Sequence, residues 1–190
     1  DLERFGTAAR YAPGLRREYQ LEDKLVGRFC GTVYGTEKSY PDAGTVCLPE
    51  KKYIQNSHLL LAGEGELQAA MEEKAKRLGI YDSVFVSRCA KGYLDLVSGD
   101  GCFPDASLFE GLPVVGIEAQ ASGLPCVFSD TITDEIILSD RAVRLSLEQP
   151  DEVWAKELIR LGTADRDRAE GRSVVRSAGY DIVEETKRLQ

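Results

Sequence analysis

From His58 to Leu147 the chain alternates apolar runs of strand length with amphipathic stretches of helix length, and this alternation constrains its fold more than any other feature. His58 to Ala62 reads as a buried strand, broken by Gly63-Glu64-Gly65. Residues Glu66 to Leu78 place Leu67, Met71, Ala75 and Leu78 at helical spacing, with Gly79 as the stop. Ser83 to Val86 is a second strand, Ala90 to Ser98 a short helix, and Gly101 to Phe103 a brief strand. A helix opens near Pro113 and runs to about Ser122; proline suits a first helical position because its missing N–H would be unpaired there anyway. Leu124 to Phe128 and Ala142 to Leu147 are further strands. Past Pro150, Trp154, Leu158 and Leu161 share one helical face, and a second helix spans Arg166 to Ser177. Strand and helix alternating at this interval predict the α/β class: a parallel sheet with helices on both faces, and a helical tail. Residues 30 to 57 are the exception, rich in turn formers where a helix is expected between the first two strands.

With 190 residues, 43% of them hydrophobic and 29% charged, the chain suits a single globular domain spanning residues 1–190. No run reaches the roughly 18 apolar residues of a membrane span, and the charged start Asp1-Leu2-Glu3-Arg4-Phe5 is unlike a signal peptide. The absent initial Met predicts that something N-terminal has been left out. A net charge of −8 without a long Lys/Arg cluster argues against nucleic acid as a partner. A small anionic nucleotide is still acceptable, since its site needs only one or two cations and a helix N-terminus. Five cysteines, Cys30, Cys47, Cys89, Cys102 and Cys126, never fall at C-x-x-C spacing and read as reduced cytosolic thiols. With His58 the single histidine, a zinc site has little to build on. His58 reads as a strand-edge residue, and Trp154 as core or domain-interface packing.

In open α/β sheets ligands bind at the carboxyl ends of the strands, near the topological switch point. Three segments follow strands suitably: Gly27-Arg28-Phe29, Gly63-Glu64-Gly65, and Ser107 to Glu118. In the third, Glu110 precedes a helix whose first amides, from about Gly111 through Leu112 and Pro113 to Val114, lie where they can cradle a diphosphate; proline itself adds no N–H. Glu118, a turn further on, can accept hydrogen bonds from the two neighbouring hydroxyls of a ribose, and Glu110 from those of a sugar beyond the phosphates. Spacing alone leaves open that both are solvated surface glutamates. Arg28 can pair bidentately with a diphosphate and neutralise a leaving group, or be a plain surface arginine. Gly63-Glu64-Gly65 lacks the third glycine of a dinucleotide fingerprint and reads better as a tight strand-to-helix turn.

The stretches Asn56 to Leu67 (NSHLLLAGEGEL) and Ser107 to Asp130 (SLFEGLPVVGIEAQASGLPCVFSD) resemble the family-four retaining glycosyltransferases, in the branch that builds bacterial capsule and exopolysaccharide. Glu110 and Glu118 match that family's E-x7-E motif. The resemblance implies the C-terminal half of a GT-B fold, a Rossmann-like domain that binds the nucleotide sugar, and the absence from this chain of an N-terminal acceptor domain. It implies retaining transfer from a donor that is usually a UDP-hexose, with no cofactor or bound metal, to an acceptor that is often a lipid-linked saccharide. It also implies a cytoplasmic place at the inner membrane face, attached through the missing domain. Residue by residue, Glu110 would contact sugar hydroxyls, Glu118 the ribose, Arg28 and the amides from Gly111 to Val114 the diphosphate. The loop Ser87 to Cys89, with Arg88 at its centre, would lie near the base. Glu110 and Arg28 are then the catalytic candidates, and the fragment alone is expected to bind donor without turnover.

The sequence departs from that pattern at three places. Val33 stands where the family usually places a lysine, with Lys38 as a substitute if the loop folds back. The segment from Cys30 to Gln55 lacks the expected helix, and Pro104-Asp105-Ala106 replaces a smooth strand end. These leave two alternatives: a degenerate GT-B-like binding module without donor chemistry, and another GT-B enzyme such as a sugar-nucleotide epimerase.

Overall fold

The computed structural model describes residues 2, 17, 25–30, 57–62, 68–87, 101–164, 167 and 169–188. Within them the chain runs through β1 (Leu25–Cys30), β2 (Ser57–Ala62), α1 (Gln68–Arg77), β3 (Val84–Ser87), β4 (Phe103–Asp105) and α2 (Val114–Ala121). It continues with β5 (Cys126–Ser129), β6 (Ala142–Leu145), α3 (Asp151–Thr163), α4 (Glu170–Ser177) and α5 (Ile182–Arg188). Every described ladder is parallel: β1-β2-β3 form one three-stranded sheet and β4-β5-β6 another. β4 lies beside β1 without laddering to it, which puts the strands in the spatial order 3-2-1-4-5-6 of a doubly wound fold.

Pro104 explains the break. Phe103 donates its N–H to Pro125 O at 2.8 Å, so the donors of Phe103 and Asp105 face β5 and the nitrogen of the residue between them faces β1. That residue is proline, which has no N–H to give. The stretch that reads as irregular in the sequence is thus a strand in register with β5, with Phe103 opposite Cys126 and Asp105 opposite Phe128. The proline costs the ladder on the other side only.

Alternation along β5 assigns the helices to two faces. Cys126 and Phe128 join Phe103, Ile117, Ala119 and Val175 in one core, the face covered by α2 and α4. Val127 joins Cys102, Trp154, Leu158 and Leu161 in another, covered by α3. Each Leu or Phe fully buried this way contributes roughly 1.5–3 kcal/mol. The α/β class with helices on both faces is as the sequence predicts, and so is the shared face of Trp154, Leu158 and Leu161. Gly79 ends α1 as expected, at φ 67°, with Ile80 N bonded to Ala75 O and Gly79 N to Lys76 O. Gly123 ends α2 by the same pair of bonds, Leu124 N to Ala119 O and Gly123 N to Gln120 O.

Several boundaries and placements differ from the sequence reading. Leu78 falls past the end of α1 and is 49% exposed, so among the described residues of the expected face Met71 and Ala75 pack inward. Pro113 is the N-cap of α2, with extended φ/ψ of −71° and 111°, and Val114 is the first helical residue. His58 is not at an edge: it lies in β2, between β1 and β3, buried and stacked on Phe85 at 5.5 Å. The second tail helix begins at Glu170, and a further helix, α5, follows it, capped by Asp181, which accepts from Val183 N at 3.2 Å. The expected helix over Ala90 to Ser98, the turn at Gly63-Glu64-Gly65 with Leu67, and the departures at Val33 and Lys38 lie outside the described residues. Among the described residues no helix is long and apolar enough to cross a membrane.

Candidate functional site

The segment between β4 and α2, residues 106–113, leaves the carboxyl end of the strand that faces β1, next to the point where the sheet order reverses. It is anchored at both ends. Leu112 packs on the core beneath α2, and Pro113 is buried. At the other end Ser107 donates its hydroxyl to Asp105 Oδ1 at 2.6 Å. The Ser107 carbonyl is met by Ser129 Oγ at 2.6 Å and Thr131 Oγ1 at 2.7 Å, both from the end of β5. Phe109, Glu110 and Gly111 form the part of the loop that stays open to solvent, Glu110 being half-buried.

Helix α2 continues that open surface. Of its eight residues only Val114, Val115 and Glu118 are not buried. Val114 and Glu118 are four apart and therefore stacked on one face, so the helix shows solvent a single stripe that begins at its N-terminus and ends on a carboxylate. The opposite side fits the sheet closely. A Cβ at Gly116 would come within 2.7 Å of the Phe128 ring, which fixes how near α2 lies to β5. Buried Gln120 ties the helix to the segment after β5: it donates to Ile136 O at 2.7 Å and accepts from Leu138 N at 3.1 Å. The N-terminus of α2 has no acidic residue in its first turn and, among the described residues, no side-chain cap, so no described side chain compensates its first-turn amides or the positive end of its dipole. This arrangement can receive an anion at the helix start and hydroxyl groups on either side of it.

Beneath the loop lies a buried carboxylate. The Asp105 carboxyl is pushed above its ordinary value first by burial and further by the negative charge of Glu110, while the hydroxyl and amide of Ser107 pull it down. A folded-state value above the unfolded one means that the folded chain holds this proton more tightly. The stability tied to it is full below the unfolded value and is lost as pH rises through the raised one. Asp105→Asn should therefore melt at a higher temperature than the parent at neutral pH, with the gap closing on acidification into the ordinary carboxylate range. Thermal melts across a pH series check this, and a gap that does not change with pH would refute it.

Among the sequence-stated candidates, the structure brings Glu110, Gly111, Leu112, Pro113, Val114 and Glu118 onto one loop and helix start. Arg28 is placed differently from expectation: it lies within β1, opposite Leu60 and two residues before the strand ends, rather than in a loop after it. The strand runs on to Cys30, because ladder pairing with β2 carries Arg28 with it. Arg88 follows the last residue of β3 and lies outside the described residues. The sequence alone does not single out Asp105, Ser107, Ser129 and Thr131 as supports of this loop. Their signal was there: an acid within a buried strand, and hydroxyl residues at alternate positions as β5 ends.

Residues 28–163 match the family described as "Glycosyl transferases group 1". A Bacillus subtilis (strain 168) protein named "Putative glycosyltransferase EpsF" is 39% identical over 125 residues, 65% of this chain and 33% of that protein. The Erwinia amylovora "Amylovoran biosynthesis glycosyltransferase AmsD" is 34% identical over 88 residues, 45% of this chain and 25% of that protein. The chain thus spans about a quarter to a third of these curated relatives. Among solved structures, Anabaena Alr3699/HepE in complex with UDP matches with a TM-score of 0.77 at 12% identity, over 100% of this chain and 54% of that one. WaaG, a glycosyltransferase involved in lipopolysaccharide biosynthesis, matches with a TM-score of 0.70 at 16% identity, over 88% of this chain and 46% of that one. At such identities the structural likeness speaks for the fold, the parallel α/β architecture of GT-B glycosyltransferases. The family match covers well over half of the sequence, and the chain belongs to the group 1 glycosyl transferases.

Proposed function

We propose that this chain is the nucleotide-sugar-binding, C-terminal domain of a retaining family-four glycosyltransferase, with a UDP-hexose as donor and bacterial polysaccharide as the product. The observation that carries this reading is the single unburied stripe of α2, which starts at uncapped amides, ends at Glu118, and is preceded by Glu110 on the anchored loop. A diphosphate seated on the first amides of α2 gains the helix dipole at no cost in reorganisation. Glu118, one turn along, then meets the ribose, and Glu110 meets the hydroxyls of the transferred sugar. A chain of net charge −8 needs local cations to hold such a ligand. Arg28, on the strand beside β4, is assigned to the diphosphate, where it neutralises charge on the leaving group; Arg88, after β3, is assigned to the neighbourhood of the base. A structural neighbour is consistent with the donor class: HepE has been crystallised with UDP and with UDP-glucose. The acceptor, a lipid-linked saccharide in this reading, belongs to a separate N-terminal domain. No bound metal or cofactor is assigned a role.

Calorimetric titration with UDP and UDP-glucose, with chelator present, tests the proposal. The chain should bind UDP, and Glu118→Ala should weaken it about tenfold or more, which is about 1.4 kcal/mol. Val33, where a second phosphate cation is usual, favours the reading as a binding module without donor chemistry. Absence of saturable binding for both UDP and GDP would mean a GT-B-like fold without a working donor site and would end the enzymatic reading of this chain.

A further inference from the structure

Three oxygen contacts meet at the root of the Glu110 loop, and only two protons are available to make them. Ser129 Oγ lies 2.6 Å from Ser107 O, Thr131 Oγ1 lies 2.7 Å from the same carbonyl, and the two hydroxyl oxygens are 2.7 Å from each other. A hydroxyl has one proton to donate. If both went to the carbonyl, the hydroxyl oxygens would face each other without a proton between them. The favourable arrangements are relays: one hydroxyl donates to Ser107 O and the other donates to the first. Both relays leave the carbonyl satisfied, and either hydroxyl can take the inner place. Ser129 is fully buried and Ser107 nearly so, which shelters the bond between them from bulk water, while Thr131 stands at the exposed end of the relay.

We propose that Ser129 and Thr131 are positioning residues for the donor sugar: a redundant two-hydroxyl clamp on the Ser107 carbonyl that fixes where the loop holds Glu110 relative to Glu118. The proposal rests on the donor-site reading given above. The groups of the site are anchored differently. Glu118 and the first amides of α2 are held by the helix, through Gln120 and the close Gly116–Phe128 packing. Glu110 stands on the loop, three residues from the clamped carbonyl, with exposed Phe109 and Gly111 on either side. Releasing the clamp therefore displaces Glu110 more than it displaces the amides or Glu118. Sugar contacts suffer, and nucleotide contacts suffer less.

The test is a double-mutant cycle on the intact chain, read by UDP and UDP-glucose affinity and by amide hydrogen exchange over residues 106–113. Ser129→Ala and Thr131→Val each leave one hydroxyl for the carbonyl, and each alone should change UDP-glucose affinity by less than about threefold. The double variant should lose about tenfold for UDP-glucose and under about threefold for UDP, with faster exchange confined to the loop. Ser129→Ala combined with Thr131→Ser keeps one proton and should behave like the parent. Equal losses for the two ligands, a full loss in either single variant, or loop exchange unchanged in the double variant would each overturn the proposal. If the double variant does not fold, the two single variants and the Ser-containing pair still decide the redundancy. If the parent binds neither ligand, the donor-site reading fails and the positioning role goes with it. If the parent binds both and the ratio is unmoved, only the positioning role is lost.

Discussion

Replacing Trp154 by alanine should lower the unfolding free energy by about 3–5 kcal/mol, a large part of the roughly 5–15 kcal/mol that holds a domain together. The indole is fully buried between α3 and the sheet, against Cys102, Val127, Leu158 and Leu161. Its Nε1 also donates to Ser146 O at 3.0 Å, fastening α3 to the segment that leaves β6. Alanine removes the packing and one of two donors to that carbonyl, which keeps its bond from Gln149 N at 3.1 Å, so the emptied apolar space carries most of the cost. Trp154→Phe separates them, since it keeps most of the volume and loses the donor; it should cost well under half as much. Urea denaturation followed by circular dichroism is the measurement, because Trp154 is the single tryptophan and its loss removes the usual fluorescence reporter. A cost below about 1.5 kcal/mol for the alanine variant would mean that α3 is not a core element of this fold.

Gly171→Ala is the second large effect, and its sign is the informative part. Helix propensity alone predicts that alanine within α4 stabilises by about 1 kcal/mol. The space forbids it. A Cβ at Gly171 would sit 2.3 Å from Gln120 O and 2.7 Å from Gly123 N, both backbone atoms of the turn that ends α2. Those atoms are held by the bonds of Gly123 N and Leu124 N that close the helix, so they cannot step aside as a flexible side chain would. Overpacking of this kind costs about 1–3 kcal/mol and occasionally more, which outweighs the propensity gain. The variant should be destabilised by about 2 kcal/mol, with α4 displaced from α2. A denaturation midpoint at or above that of the parent would show that α4 does not pack on α2 at this distance. Because α2 carries Glu118, the displacement should also weaken nucleotide binding, provided the donor-site reading holds.

Much of the candidate site is legible in the sequence itself. Glu110, the residues to Val114, and Glu118 lie within nine consecutive positions, so one loop and one helix start must bring them together whatever the rest of the chain does. What could not be read was the support beneath them. Asp105, Ser107, Ser129 and Thr131 meet only because β4 and β5 are paired in a specific register, Asp105 opposite Phe128. Pairing between strands separated by a helix is decided by the sheet, not by local spacing. The same holds for Arg28, whose place inside β1 is set by its ladder with β2.

Local chemistry therefore determined a definite set of things in this protein. The apolar periods set the element types, glycines set the ends of α1 and α2, and the short motif set which carboxylates flank one helix start. Each of these is a property of neighbours along the chain, where backbone geometry leaves few choices. Tertiary structure decided the rest: which strand meets which, that Pro104 turns its missing donor towards β1, that Leu78 is exposed and His58 enclosed, and that Gly171 has no room for a methyl group. Those outcomes depend on distances between segments far apart in sequence. They are settled only when burial of the two sheet faces is satisfied at once, a condition that no window of the sequence contains.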